Sequence, residues 1–253
     1  MENELSNFLI LQIINIFIVF CRVGSAIMFI PGLGESYIPI RVKVFFAIVL
    51  SVVISSSTGV LIGELNSIIT LVSLIFFEIT IGLWIGLVSR LIMLSLQIAG
   101  VIGGQVSALA NAFAPSVGAF EGATVLSTFL LLGGVVVVFV SDIHHLMIGS
   151  FINSYVIFPL GEIYLGDMAE QFIKSVSMMM YIGFSIAAPF IIIGIIMNVG
   201  LGLANRMMPT LPVFFVASSV LISVGIFLMS VIAPNALNKF RIVLSDWLLG
   251  YGF

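Results

Sequence analysis

Leu65 to Leu96 reads LNSIITLVSLIFFEITIGLWIGLVSRLIMLSL, a long apolar run whose ionisable side chains are Glu78 and Arg90. About 20 mostly apolar residues suffice for a helix to cross a bilayer core, so this run is long enough to span. Glu78, Gly82, Gly86 and Arg90 recur at intervals of four, which on a helix gives one slowly drifting stripe. Gly82 and Gly86 admit another backbone closely. Either charge facing lipid at mid-membrane would cost roughly 2.5 to 3.5 kcal/mol or more, so the stripe faces protein. At 1.5 Å per residue Glu78 and Arg90 lie about 18 Å apart. They cannot pair with each other, and their partners belong on another helix or another subunit.

The rest of the chain agrees with a membrane setting. Of 253 residues 61% are hydrophobic and 8% charged, with a mean hydropathy of +1.34, whereas soluble domains carry about 25% charged residues. Five further apolar runs flank the first: Leu5 to Ile30, Val44 to Ile62, Thr124 to Val140, Ser175 to Leu203 and Val213 to Ile232. The expected fold is all-α, a polytopic membrane-type arrangement of helical hairpins with about six hydrophobic helices. Pro189 and Gly194 are positioned to kink or split the fifth run, and Pro234-Asn235 is expected to close the sixth. Basic residues split between the two sides of a six-span chain, and the positive-inside rule favours both termini on the non-cytoplasmic side.

The connections differ in character. Gly32 to Lys43 follows Pro31 and carries Pro39, so two prolines flank a short turn, with Arg41 and Lys43 behind it. Ser141 to Lys174 is the longest polar segment; within it GEIYLGDMAEQFIK reads as a short surface helix with Asp167 as N-cap and Glu170 and Lys174 as an i,i+4 pair. Met207 to Pro212, MMPTLP, is a rigid corner, because two prolines three apart cannot both occupy a helix interior.

Ala99 to Gly122, AGVIGGQVSALANAFAPSVGAFEG, is too rich in small residues and too broken for lipid. Irregular backbone at membrane depth is tolerated where it is buried in protein or lines a water-filled cavity. Gly100 and Gly104 repeat the close-packing signal. Beyond them Asn111 to Gly118 has two readings, a flexible interhelical loop or a constriction in which Phe113 and Pro115 enter a channel.

Other chemistry is thinly represented. Cys21 is the single cysteine, which excludes an internal disulfide and a thiolate cluster. The scattered Lys and Arg form no basic stripe for nucleic acid. Asp142, His144 and His145 are the only histidine cluster, but adjacent histidines on a helix point about 100° apart and no further ligand completes a tetrahedral set. No cofactor motif and no nucleophile elbow is present. Glu78 reads as a buried structural ion or as a relay carboxylate, and a relay usually has several acids or histidines at bilayer depth. Met178 to Met180 and Met207-Met208 suit core packing or a deformable gasket. The acidic MENELSN start is unlike a signal peptide.

Taken in order, five elements resemble the FliR/SctT family of flagellar and injectisome export-gate proteins. They are Arg22-Val-Gly24 through Pro31, Pro39 and Arg41-Val42; the Glu78, Gly82, Gly86, Arg90 stripe; Gln97-Ile-Ala99-Gly100 with Gly103 and Gln105; Asp142 with His144 and His145; and Asn198, Gly202, Arg206, Pro209, Leu211-Pro212-Val-Phe214. Two departures are Ile143, where the family commonly has glycine, and Ala217-Ser218-Ser219, where a Gly-Phe-Pro-like turn is usual.

The resemblance implies a non-enzymatic channel subunit without cofactor or metal. It would lie in the bacterial inner membrane at the flagellar basal body, beside FliP-type and FliQ-type subunits and a FlhB-type switch protein, and would pass unfolded export substrates. It implies a FliP-like part over 1–174 and a FliQ-like final hairpin over 175–253, whose corner is Pro209, Pro212 and Phe214. Asn111, Phe113, Ala114, Pro115, Ser116, Val117 and Gly118 take the position of the family's pore plug. Arg22, Glu78, Gly82, Gly86, Arg90, Gly100, Gly104 and Arg206 become buried charges and packing positions, with the charges expected to pair between subunits. Injectisome use, a proton-coupled transporter with Glu78 as coupling carboxylate, and an intramembrane hydrolase are the alternatives.

Overall fold

The computed structural model describes residues 2–58, 67–107, 124–207 and 213–250. Among them all regular secondary structure is helical: α1 Glu2–Ile27, α2 Ile40–Thr58, α3 Ile68–Val106, α4 Val125–Val140, α5 Ile143–Ile157, α6 Leu165–Met207 and α7 Val213–Gly250. Among the described residues four helices are long and apolar enough to cross a membrane, or up to five if α4 and α5 form one broken span. The all-α, polytopic membrane-type fold expected from the apolar runs is the one observed. Inside a bilayer the helix is the way for a single segment to satisfy its own backbone, and these sequences supply few competing polar side chains.

Three local expectations are corrected. Pro234 does not close the last helix; α7 runs through it to Gly250, and α6 likewise runs through Pro189. In apolar surroundings breaking the helix would orphan several more backbone groups than the proline itself does. The short surface helix is the beginning of α6, and Asp167 lies in its first turn instead of at its N-cap. The acidic side chain still complements the positive end of the helix, and the expected Glu170–Lys174 pair is present at 2.6 Å. Finally, α5 occupies part of what read as a polar connection. Its polar residues Ser150 and Ser154 are buried, so they belong to packing.

The chain divides into two compact units. The first comprises Met1–Arg90, Asp142–Lys174 and Leu244–Phe253. In it α1 packs on α2 and α2 on α5, while the first half of α3 presses on α1. A Cβ at Gly82 would overlap the Arg22 carbonyl oxygen, and one at Gly86 would come 2.7 Å from the Ala26 carbonyl. Glycine at these two positions is therefore what lets the helices approach backbone to backbone.

The second unit comprises Leu91–Ser141 and Ser175–Val243. It is a bundle of the second half of α3, α4, and the long antiparallel stretches of α6 and α7. Close approach again depends on missing side chains: a Cβ at Gly100 would overlap Ser127, one at Gly104 would meet Thr124 Oγ1 at 2.6 Å, and one at Gly134 would meet Leu96 at 2.7 Å. An apolar cleft between α6, α7 and the last turn of α3 is lined by residues including Val106, Phe190, Gly194, Leu221 and Leu228.

Candidate functional site

Arg22 is the largest fully buried side chain of the first unit, with 0% exposure, and Glu78 is buried to the same extent. Their pairing is bidentate: Arg22 Nε donates to Glu78 Oε2 at 2.6 Å and Nη2 donates to Oε1 at 2.8 Å. The remaining guanidinium donors go to the end of α5. Nη1 reaches the Ser154 carbonyl at 3.1 Å and Ser154 Oγ at 3.2 Å, and Nη2 reaches the Phe158 carbonyl at 3.0 Å. All five N–H donors of the guanidinium are thereby used.

The chemistry of this joint follows from its members. The last carbonyls of a helix lack intrahelical donors and carry the negative end of the macrodipole. Arg22 adds donors to the Ser154 carbonyl, which also accepts from the Phe158 N–H, and to the Phe158 carbonyl, and it brings the opposite charge, which Glu78 neutralises. The Tyr155 ring lies 3.9 Å from the guanidinium carbon, adding a cation–π contact on one face. A buried charge is expensive unless paired and fully hydrogen-bonded, and both conditions are met here. One residue of α1 thus fastens α3 and the C-terminus of α5 together.

Neighbouring contacts extend the joint along α3. Trp84 Nε1 donates to the Met168 carbonyl at 3.1 Å, and its ring meets Phe158 edge-on at 5.7 Å. One turn further from Gly86, Arg90 reaches Glu35 at 3.5 Å, where Glu35 lies in the turn between α1 and α2. At the α5–α6 connection Tyr164 Oη donates to Glu162, and that bond together with the carboxylate charge holds the Tyr164 phenol above its usual range.

The sequence-derived residues are distributed as follows. Arg22 and Glu78 come together, and Arg90 finds Glu35, so these charges have partners within the chain. Both Glu78 oxygens accept from Arg22, which leaves little for a relay. Gly82 and Gly86 form the α1 contact, and Gly100 and Gly104 the α4 contact, while Arg206 is exposed near the end of α6. Asn111, Phe113, Ala114, Pro115, Ser116, Val117, Gly118, Pro209 and Pro212 lie outside the described residues. Phe214 falls in the first turn of α7. Sequence reasoning missed Ser154, Tyr155, Phe158, Trp84 and Glu35. The available signal was the opposite sign of Arg22 and Glu78, each nearly alone in an apolar run.

Thr124, which precedes α4, lies against Gly100 and Gly104 of α3. Thr124 Oγ1 donates to the Gly100 carbonyl at 2.9 Å. Thr124 also caps α4 through a reciprocal box: the Ser127 N–H donates to Thr124 Oγ1 and the Thr124 N–H to Ser127 Oγ. On the other side Ser107 Oγ donates to the Gly103 carbonyl at 2.6 Å.

At the start of α5, Asp142 adopts a left-handed φ of 57°. The His144 and His145 rings lie 4.1 Å apart, and ligand atoms of Asp142, His144 and His145 lie within 4.8 Å of one another. Among the described residues these three are the group that could hold a metal, and they are closer than adjacent positions on a helix suggest.

The fold and the buried joint define an all-α, membrane-type helical protein. Residues 13–246 match the family described as bacterial export proteins, family 1. The chain belongs to that family, the FliR family. It is 33% identical to the flagellar biosynthetic protein FliR of Caulobacter vibrioides over 84% of this chain and 86% of that protein. It is 26% identical to the FliR of Aquifex aeolicus, over 88% and 86% of the two chains, and 26% identical to that of Bacillus subtilis, over 90% of each.

Proposed function

We propose that the chain is a non-enzymatic channel subunit of the flagellar protein export gate in the bacterial inner membrane. It assembles with FliP-type and FliQ-type subunits beside a FlhB-type switch protein and passes unfolded flagellar substrates. Residues 1–174 supply the FliP-like part and 175–253 the FliQ-like hairpin. Asn111 to Gly118 close the passage until a substrate opens it.

The observation that carries this reading is the match to flagellar FliR proteins over more than four-fifths of their length and of this chain. That these relatives are flagellar biosynthetic proteins favours flagellar over injectisome use. The full engagement of Glu78 by Arg22 speaks against the coupled-transporter alternative.

Deletion of residues 112–118 tests the plug. The gate should still assemble, as judged by co-purification of FliP-type and FliQ-type subunits, while membranes bearing it become permeable to small solutes. An assembled gate that stays tight overturns the plug assignment. Failure of the FliP-type and FliQ-type subunits to co-purify with the intact chain overturns the gate assignment itself.

A further inference from the structure

Asp142 stands at the N-cap of α5 without capping it. Aspartate at such a position ordinarily turns its carboxylate onto the free N–H groups of the first turn, yet the Asp142 side chain makes no cap bond. Its backbone holds the left-handed φ of 57°, and its Oδ1 stands 3.6 Å from His145 Nδ1. The His144 ring completes the group, 4.1 Å from that of His145, although neighbours on a helix leave it about 100° apart. One ligand atom from each of the three residues lies within 4.8 Å of the other two. The sequence argument against a metal here rested on that divergence, and the observed approach of the two rings removes it.

We propose that Asp142, His144 and His145 bind one zinc-class divalent cation at the start of α5, with a coordination position left to water. Two imidazole nitrogens and one carboxylate oxygen make the donor set of a three-ligand zinc site. Magnesium and calcium favour shells of oxygen, so the selectivity falls on borderline transition metals. The sizes agree. Donors placed tetrahedrally at about 2.0 to 2.2 Å from zinc lie about 3.3 to 3.6 Å from one another. The Asp142–His145 pair already stands at that distance, and the widest separation must close by about 1 to 1.5 Å. The His145 and Asp142 side chains are 70% and 80% exposed, which leaves them free to make that adjustment and gives the ion a way in, while His144 is half-buried and fixes the floor of the group. The positive end of the helix opposes a cation. The Asp142 carboxylate offsets that opposition, but with three protein donors and open access to water the affinity is micromolar, weaker than that of a closed four-ligand site. The bound ion ties the first turn of α5 to the residue before it. With Arg22 on its last carbonyls, α5 is then fastened at both ends.

The test titrates the full-length chain, in neutral detergent and without a histidine tag, first with cobalt(II) and then with zinc. Cobalt held by the three side chains should give the strong visible absorption of a four- or five-coordinate ion, and one equivalent of zinc should abolish it, whereas excess magnesium should not. H145Q and D142N should each weaken zinc binding roughly tenfold or more, since even the outer-shell partners of metal sites are worth that much. Both side chains are exposed, and asparagine tolerates the left-handed backbone at position 142, so these variants should fold. In the unaltered chain zinc should also raise hydrogen-exchange protection at the first turn of α5. Absence of saturable zinc binding at micromolar concentrations overturns the site. Undiminished binding in folded H145Q and D142N does so as well, because the ion then sits elsewhere. A weak, six-coordinate cobalt spectrum, or displacement of cobalt by magnesium, would mark an adventitious surface ion and overturn it equally. None of these outcomes bears on the gate reading, which subunit co-purification tests.

Discussion

The two units are fastened by opposite means. In the first, one arginine spends every donor on a carboxylate and the end of a helix. In the second, glycines at 100, 104 and 134 remove the side chains that would keep the helices apart. Hydrogen-bonded charge fixes direction and register, since the guanidinium fork accepts few geometries. Glycine packing fixes distance alone, and leaves sliding and rotation to be set by other contacts. Gly82 and Gly86 bring a little of the second method into the first unit, where they let α1 and α3 come close enough for Arg22 to reach Glu78.

The sharpest way to break the contrast is Arg22→Ala. It strands a buried Glu78 and uncaps α5, and should destabilise the first unit by roughly 3 to 5 kcal/mol, read as a lowered melting point in detergent and a reduced steady-state amount in membranes. Adding Glu78→Leu to Arg22→Met should recover most of that loss, because an apolar pair of similar volume removes the uncompensated charge. No recovery would mean that the capping of α5, more than the ion pair, holds the joint.

Next come the glycines. Gly82→Val and Gly100→Val force overlap with backbone, and each should cost about 1 to 3 kcal/mol or more. If glycine packing serves the same end in both units, the two losses will be similar in thermal melts. A benign Gly100→Val would show that α4 yields where α1 does not.

The smallest expected effect is that of Thr124→Ala, which removes an N-cap worth about 1 kcal/mol and the bond to Gly100. Hydrogen exchange should rise at the first turn of α4 while the Arg22 joint stays protected. Equal exposure of both regions would contradict their independence.

The six apolar runs were legible because lipid-compatible helices announce themselves by length and composition. The tie between Arg22 and Glu78 was not, although both were marked as buried charges. They lie 56 positions apart in the chain, and periodicity carries no information on which helix faces which. The helix α5 was hidden by its own Ser150, Asn153 and Ser154. That polarity suggested a solvated connection, yet Ser154 is where Arg22 docks. Prolines misled in the opposite direction, since Pro189 and Pro234 are strong stops in water and weaker ones in apolar surroundings. The Glu170–Lys174 pair was readable because it is local.

The order in which the Arg22 joint becomes available also shapes how the chain is made. Glu78 emerges 56 residues after Arg22, and Phe158 136 residues after it. At about 5 to 20 residues per second, α1 carries an unanswered cation for roughly 3 to 11 s of synthesis, and the helix end that completes the joint arrives after about 7 to 27 s. Until then α1 must be sheltered by the insertion machinery or wait at the membrane edge. Biogenesis of this unit therefore has a built-in commitment point, reached when α5 leaves the ribosome.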